Sequence, residues 1–178
     1  TWALAVSKAW GLEEKRVQFT PDVLPADLTG FTLYQKATEQ FVYQPGAVMC
    51  NLLLADEINR TSPKTQSALL EVMEERQVTV DGVTRKTGNP FIVIATENPA
   101  GSVGTQLLPE SQLHRLMFCV SMGYLSANDE VESMKSNQSG RSTGPVRRVM
   151  TAELFLRAPV DVKNLFIHDA AYIYLVQL

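Results

Sequence analysis

Asn51-Leu-Leu-Leu-Ala-Asp56, continued by Glu57-Ile-Asn-Arg60, is the stretch from which the rest of the chain can be read. Its apolar residues follow one another without alternation. They therefore belong to a strand covered on both faces, not to one with a wet side. A pair of acids closes the run. Pro90-Phe-Ile-Val-Ile-Ala-Thr96 has the same pattern and ends in Glu97-Asn98-Pro99, and Met117–Met122 reads as a third buried strand. Between the first two lies a helix, Pro63 to Arg76, opened by proline and lined on one face by Ala68, Leu69, Val72 and Met73. Buried strands alternating with helices predict an α/β domain with a largely parallel sheet. Ligands of such sheets bind at the carboxyl ends of the strands. Asp56, Glu57 and Asn98 are thereby expected on one rim.

Toward the N-terminus, Trp2, Ala5, Val6, Ala9 and Trp10 recur at helical spacing, with Gly11 as a stop. Arg16–Phe19 reads as a strand, followed by a Pro-punctuated segment from Thr20 to Gly30. Phe31–Tyr34 and Phe41–Gln44 read as a hairpin. Gln77–Val80 and Val83–Lys86 flank Asp81-Gly82, the two-residue signal of a tight hairpin turn. Toward the C-terminus, Ser126 and Asp129 form a capping box for a helix through about Lys135. The Gly/Ser-rich stretch within 137–150 is a linker, and Asp169 caps a short helix, Ala170–Leu178. The resulting division is a core over 1–136, a linker over 137–150 and a second unit over 151–178.

Composition narrows the function. The 178 residues are 45% hydrophobic and 20% charged, ordinary globular values with material for one sizeable core. The net charge is −3, and no basic cluster exceeds Arg147-Arg148, so the footprint of a nucleic-acid binder is missing. No apolar run approaches the length of a membrane span, and the N-terminal residues read as helix, not as a signal peptide. The two cysteines, Cys50 and Cys119, lack metal-ligand spacing and are expected as buried thiols of a cytoplasmic protein.

Phosphoryl transfer needs what this rim offers. One carboxylate holds the Mg²⁺ that neutralises the β- and γ-phosphates, a second orients or deprotonates the attacking water, and an amide senses the γ-phosphate. A short apolar run followed by Asp-Glu is the Walker B pattern. Alone it is a moderate signal, since acids also favour helix starts. The surrounding sequence adds to it. Leu54-Ala-Asp-Glu-Ile-Asn-Arg60, Pro63-Lys-Thr-Gln66, Ala68-Leu-Leu-Glu71 and Met73-Glu-Glu-Arg76 closely resemble the MoxR family of AAA+ ATPases. So do Gln18-Phe-Thr-Pro-Asp22 and Pro25-Ala-Asp27 upstream, and Gly104-Thr105, Leu108-Pro-Glu110, Gln112-Leu113 and Arg115 downstream. The resemblance runs from Trp2 to about Tyr124 and more weakly beyond.

It implies an AAA+ P-loop NTPase core, a parallel sheet flanked by helices, with the start of a small helical lid. Asp56 would coordinate Mg²⁺, Glu57 would be the catalytic base, Asn98 would be sensor 1, and Arg115 an arginine finger serving a neighbouring subunit's ATP. The cofactors implied are ATP and Mg²⁺. The partners implied are further copies of the chain, as a hexameric ring, and a von Willebrand factor A domain protein. The Asp81-Gly82 hairpin would be the family's insertion near the ring's pore or axial face, or else a plain surface hairpin. Relatives work as chaperone-like remodellers or in metal-cofactor insertion.

Three departures stand out. His114 and Leu116 flank Arg115 where the family has Asp and Phe. No second ligand candidate lies near His114 in sequence, so a solvated or interface histidine is expected. Third, no Gly-Lys-Thr/Ser occurs, because none of the lysines follows a glycine. In the family that loop precedes the helix beginning near Trp2, and the lid carries a sensor 2 arginine. The expectation is therefore a chain truncated on both sides. Two other readings remain open: a non-catalytic paralogue serving in assembly, and a nucleic-acid motor of the related helicase clade.

A chain without the glycine-rich cradle and its lysine lacks most of the phosphate contacts in this class of site. Isothermal titration of the 178-residue chain with Mg-ATP should show weak binding; low-micromolar affinity would contradict this reading.

Overall fold

The computed structural model describes residues 2–98, 108–121, 123, 126–138 and 146–177. Helix α1 (Trp2–Trp10) turns at Gly11 into strand β1 (Glu14–Gln18). Helix α2 (Pro25–Thr29) follows, with Pro25 in its first turn and the Asp27 carboxylate accepting the Leu24 N–H at 2.8 Å. The sequence pattern left this segment without a helix, because one turn is too short to show a periodic apolar face. Strands β2 (Gly30–Gln35) and β3 (Gln40–Pro45) form an antiparallel hairpin. Strand β4 (Leu52–Asp56) leads through a 3-10 turn (Ile58–Arg60) into helix α3 (Pro63–Glu75). Hairpin strands β5 (Gln77–Val80) and β6 (Val83–Lys86) come next, and then strand β7 (Ile92–Ala95). Helices α4 (Glu110–Leu113), α5 (Ala127–Gln138), α6 (Ala152–Lys163) and α7 (Asp169–Gln177) complete the described elements.

The sheet that positions the rim has the order β1-β4-β7, parallel throughout. Leu52 lies opposite Glu14 on one side and Ile92 on the other, and Asp56 lies opposite Gln18. Asn51 sets this register at the amino ends of the strands. Its side-chain Nδ2 donates to the Pro90 carbonyl at 2.9 Å, and its side-chain Oδ1 accepts the Glu13 N–H at 3.4 Å. Successive side chains of β4 go to opposite layers. Leu53 and Ala55 enter a core with Phe19, Leu28, Val48, Ile58, Leu69 and Val72; Leu52 joins Leu12, packed by Val6, Trp10, Ile92 and Ala152. Both faces are apolar, which is why the strand carries no polar residue until its end.

Helix α3 begins as the sequence indicates. Ser62 accepts the Thr65 N–H at 3.3 Å, and Pro63 occupies the first helical position. Arg76 closes it in a left-handed conformation. The β5–β6 turn places Asp81 at φ 51° and Gly82 at φ 74°, as an Asp-Gly hairpin requires. The two hairpins touch: the Arg85 guanidinium sits 3.9 Å above the Tyr43 ring, and the Tyr43 hydroxyl donates to the Thr29 carbonyl at 2.6 Å. Gly30 has a φ of 89°, and a Cβ there would collide with the Tyr43 ring and the Gln44 carbonyl.

Besides helix α2, the structure departs from the sequence reading in four places. Residues 117–121 of the expected third strand are not strand, and Met117, Phe118 and Val120 are exposed; Met122 lies outside the described residues. Strand-forming side chains do not make a strand without a partner for the backbone, and none pairs with these among the described residues. In consequence Cys119 is exposed while Cys50 is buried. At the linker, 137 and 138 belong to α5, 139–145 lie outside the described residues, and 146–150 lack regular structure. Val149 and Met150 both donate their N–H to the Ala9 carbonyl, at 2.7 and 3.2 Å, so this end is fastened to α1. Helix α6, capped by Thr151 and tied to Trp10 through Phe155, contains Pro159, whose presence hid the helical pattern. Finally, His168 caps α7 through Nδ1, which accepts the Ala170 N–H at 3.2 Å, and Asp169 is the first helical residue; Leu178 lies outside the described residues.

Burial pushes the Cys50 thiol up from 9.0 to about 11, partly offset by Lys15. Its protonated form is favoured in the fold, so that contribution to stability is complete below pH 9 and is lost as the pH rises through 11. At pH about 8 a disulfide reagent should titrate Cys119 of the folded chain promptly and Cys50 only after unfolding. Prompt reaction of both thiols would show that the Cys50 side of the core is open.

Candidate functional site

The end of β4 is organised by a hydroxyl on the neighbouring strand's continuation. Thr96 accepts the Glu57 N–H at 3.0 Å and donates to Asp56 Oδ1 at 3.3 Å, so one side chain fixes both acids. Backbone bonds carry the ladder beyond the strands: Thr96 N–H to the Ala55 carbonyl at 2.9 Å, and Ile58 N–H to the Thr96 carbonyl at 3.0 Å. Glu57 sits at φ 56° and ψ 48°, the left-handed region, which costs a non-glycine residue roughly 1–3 kcal/mol. The turn directs Asp56 and Glu57 differently although they are adjacent. Strain of this kind, held in place by the Thr96 bonds, marks the rim as a place where orientation is fixed by its surroundings.

Asn98 is anchored from the same turn. Buried Asn59 donates to the Asn98 carbonyl at 3.1 Å and accepts the Asn98 N–H at 3.3 Å. Buried Gln66 in turn holds that turn from α3, donating to the carbonyls of Ile58 and Thr61, each at 3.2 Å. Asp56, Glu57 and Asn98 are therefore brought together by Thr96, Asn59 and Gln66. Gly104-Thr105 of the quoted motif lie outside the described residues.

Both acids are paired with arginines. Arg16 Nε and Nη2 lie 2.7 and 2.6 Å from Asp56 Oδ2, and Arg60 Nη1 lies 2.8 Å from Glu57 Oε2. Arg115 is elsewhere. It follows α4 and forms an ion pair of 3.2 Å with Glu74, near the far end of α3. From Pro63 to Glu74 that helix climbs about 16 Å, so Arg115 stands well away from its own chain's Asp56 and Glu57. His114 is exposed. No cluster of three metal-ligating side chains exists among the described residues. A lone carboxylate of hard oxygens suits Mg²⁺, which keeps waters and takes other ligands from a substrate's phosphates. Asp56 is the group that would hold it.

The sequence reading missed Thr96, Asn59, Gln66, Arg16 and Arg60 as parts of this site. Asn59 and Gln66 carried a signal: uncharged amides next to apolar positions in a buried turn need backbone partners. Arg16 carried none, since its contact depends on the pairing of β1 with β4.

Comparison with known proteins gives the family of the chain. A sequence model of the ATPase family associated with various cellular activities (AAA) matches residues 1–118. The chain is 46% identical over 174 residues to the uncharacterized protein YeaC of Bacillus subtilis, covering 98% of this chain and 54% of that one. It is 40% identical over 163 residues to Chaperone MoxR1 of Mycobacterium tuberculosis, covering 92% of this chain and 43% of that one. The crystal structure of a candidate ATPase from Cytophaga hutchinsonii superposes with a TM-score of 0.85 at 36% identity, covering 98% of this chain and 53% of that one. The chain thus spans about half the length of the relatives it matches.

Removing the Asn59 clamp tests the rim without any assumption about activity. Asn59→Ala leaves the Asn98 backbone groups without those partners and should cost about 1–3 kcal/mol of stability. The Asn98 amide should exchange its hydrogen faster. Unchanged exchange at Asn98 would show that Asn59 does not hold this loop.

Proposed function

The chain belongs to the AAA+ ATPases of the MoxR type, and from that premise we propose that it is the ATP-hydrolysing core of a ring-forming, chaperone-like remodelling protein. The observation that carries the reading is the single Thr96 hydroxyl that fixes Asp56 and Glu57 together at the carboxyl end of the central strand. Asp56 would hold Mg²⁺, which would supply charge neutralisation on the phosphates. Glu57 takes the proton of the attacking water. Its carboxylate first has to leave Arg60, and Arg60 then has an acidic partner to return to once the proton has moved on. Asn98, held by its backbone to Asn59, presents its amide beside the water. The tether of Arg115 to Glu74 supports a role outward, toward the nucleotide of a neighbouring copy, and a hexameric ring is the assembly that such a finger serves.

Remodelling or cofactor insertion in client proteins, with a von Willebrand factor A domain protein as partner, is the role proposed for the whole assembly. A net charge of −3 speaks against nucleic acid as substrate. No helix among the described residues is long and apolar enough to cross a membrane. Two unpaired thiols suit a reducing cytoplasm.

The test uses the full-length protein. Glu57→Gln should retain ATP binding and lose turnover by roughly 10²–10⁴-fold, the contribution of a positioned base. Arg115→Ala should lower turnover by about 10³–10⁵-fold with ATP affinity nearly intact. Mixing the two variants should restore part of the activity, because some interfaces then join an intact base to an intact finger. A loss under tenfold for Glu57→Gln removes it from the role, and a mixture with no recovery removes Arg115 from action in trans.

A further inference from the structure

The Asp56 side chain is 15% exposed and its carboxylate receives two donors from one guanidinium, while the Arg16 side chain is 67% open to solvent. The contact follows from the sheet. Arg16 lies opposite Leu54, and Gln18 lies opposite Asp56, so Arg16 stands two positions back on the same face and reaches diagonally forward along the strand. Its Nε and Nη2 converge on Oδ2 alone, whereas Oδ1 is taken by the Thr96 hydroxyl. The Oδ2 atom is therefore the part of Asp56 that turns toward a cation, and a guanidinium is already placed against it. A divalent ion and a guanidinium cannot share one oxygen at contact distance without strong mutual repulsion.

We propose that Arg16 is a positioning residue of the metal site, competing with the divalent cation for Asp56 Oδ2 and so setting the concentration at which the cation binds. This rests on the reading of Asp56 as the metal-holding group. Metal binding swings Arg16 off Oδ2 into the solvent that its stem already faces; metal release lets the guanidinium return and neutralise a largely buried carboxylate. The arginine thereby keeps Asp56 oriented while the cation is away and makes cation capture depend on displacing an internal charge.

The experiment titrates Mn²⁺ into the full-length protein holding a non-hydrolysable ATP analogue and follows water-proton relaxation. Arg16→Gln should tighten Mn²⁺ binding by roughly threefold to tenfold, and Arg16→Lys, which retains the charge but not the fork, should lie between. In an Asp56→Asn background, Arg16→Gln should have no further effect, since the shared oxygen is gone. An unfolding curve for each variant confirms that the fold is intact. Unchanged or weaker Mn²⁺ binding in Arg16→Gln, with Asp56→Asn still abolishing it, overturns the competition alone. If Asp56→Asn leaves Mn²⁺ binding unchanged, the metal reading falls and the competition falls with it.

Discussion

Strand β4 has a parallel neighbour on each edge and an apolar layer on each face. A strand so placed has no surface on which to carry a charge until its backbone leaves the sheet. Leu52, Leu53, Leu54 and Ala55 answer that constraint, and Asp56 is where it first relaxes. The acids of the candidate site and the groups that hold them are arranged around this exit point. The registers of β1 and β7 deliver Arg16 and Thr96 to Asp56, and the turn that follows holds Glu57, Asn59 and, through it, Asn98. Burial of the strand thus decides where the acids stand, and the hydrogen bonds at its end decide how they point.

This explains what could be read from the sequence and what could not. The unbroken apolar run and the following Asp-Glu are local signals, and they located the central strand and the rim. The Asp81-Gly82 turn and the Pro63 start of α3 are likewise written in a few adjacent residues. Residues 117–121 were misread because their apolar character reports a preference for pairing, whereas a strand requires the pair itself. Helix α6 was missed because Pro159 interrupts the pattern while the rest of the helix accommodates it. Arg16 was invisible as a site residue because its significance lies two positions along a neighbouring strand. That proximity exists only after the sheet has formed.

The rim is a network of compensated charge. Asp56 and Glu57 each have a cationic partner of their own chain, and the partners come from different elements, β1 and the turn before α3. An acid held this way is oriented without being exposed bare to a low-dielectric wall. Because the arginines are themselves 67% and 45% open to solvent, their attachment is worth little in stability. They can yield to a stronger cation or to a proton. The left-handed backbone of Glu57 adds a second kind of fixation, since the residue cannot relax into ordinary helix without breaking the Thr96 bonds.

The stacking of Arg85 on Tyr43 joins two hairpins that are separated by the whole of β4 and α3 in the chain. Tyr43 is itself bolted to the Thr29 carbonyl, at the root of the first hairpin. The pair thus ties the second hairpin to the root of the first by a route that lies outside the sheet. A cation–π contact at the surface contributes only about 0.5–1 kcal/mol. The joint is therefore a weak one, and the buried Val78 of β5, which shares a core with Leu28 of α2, holds the second hairpin more firmly than the ring contact does.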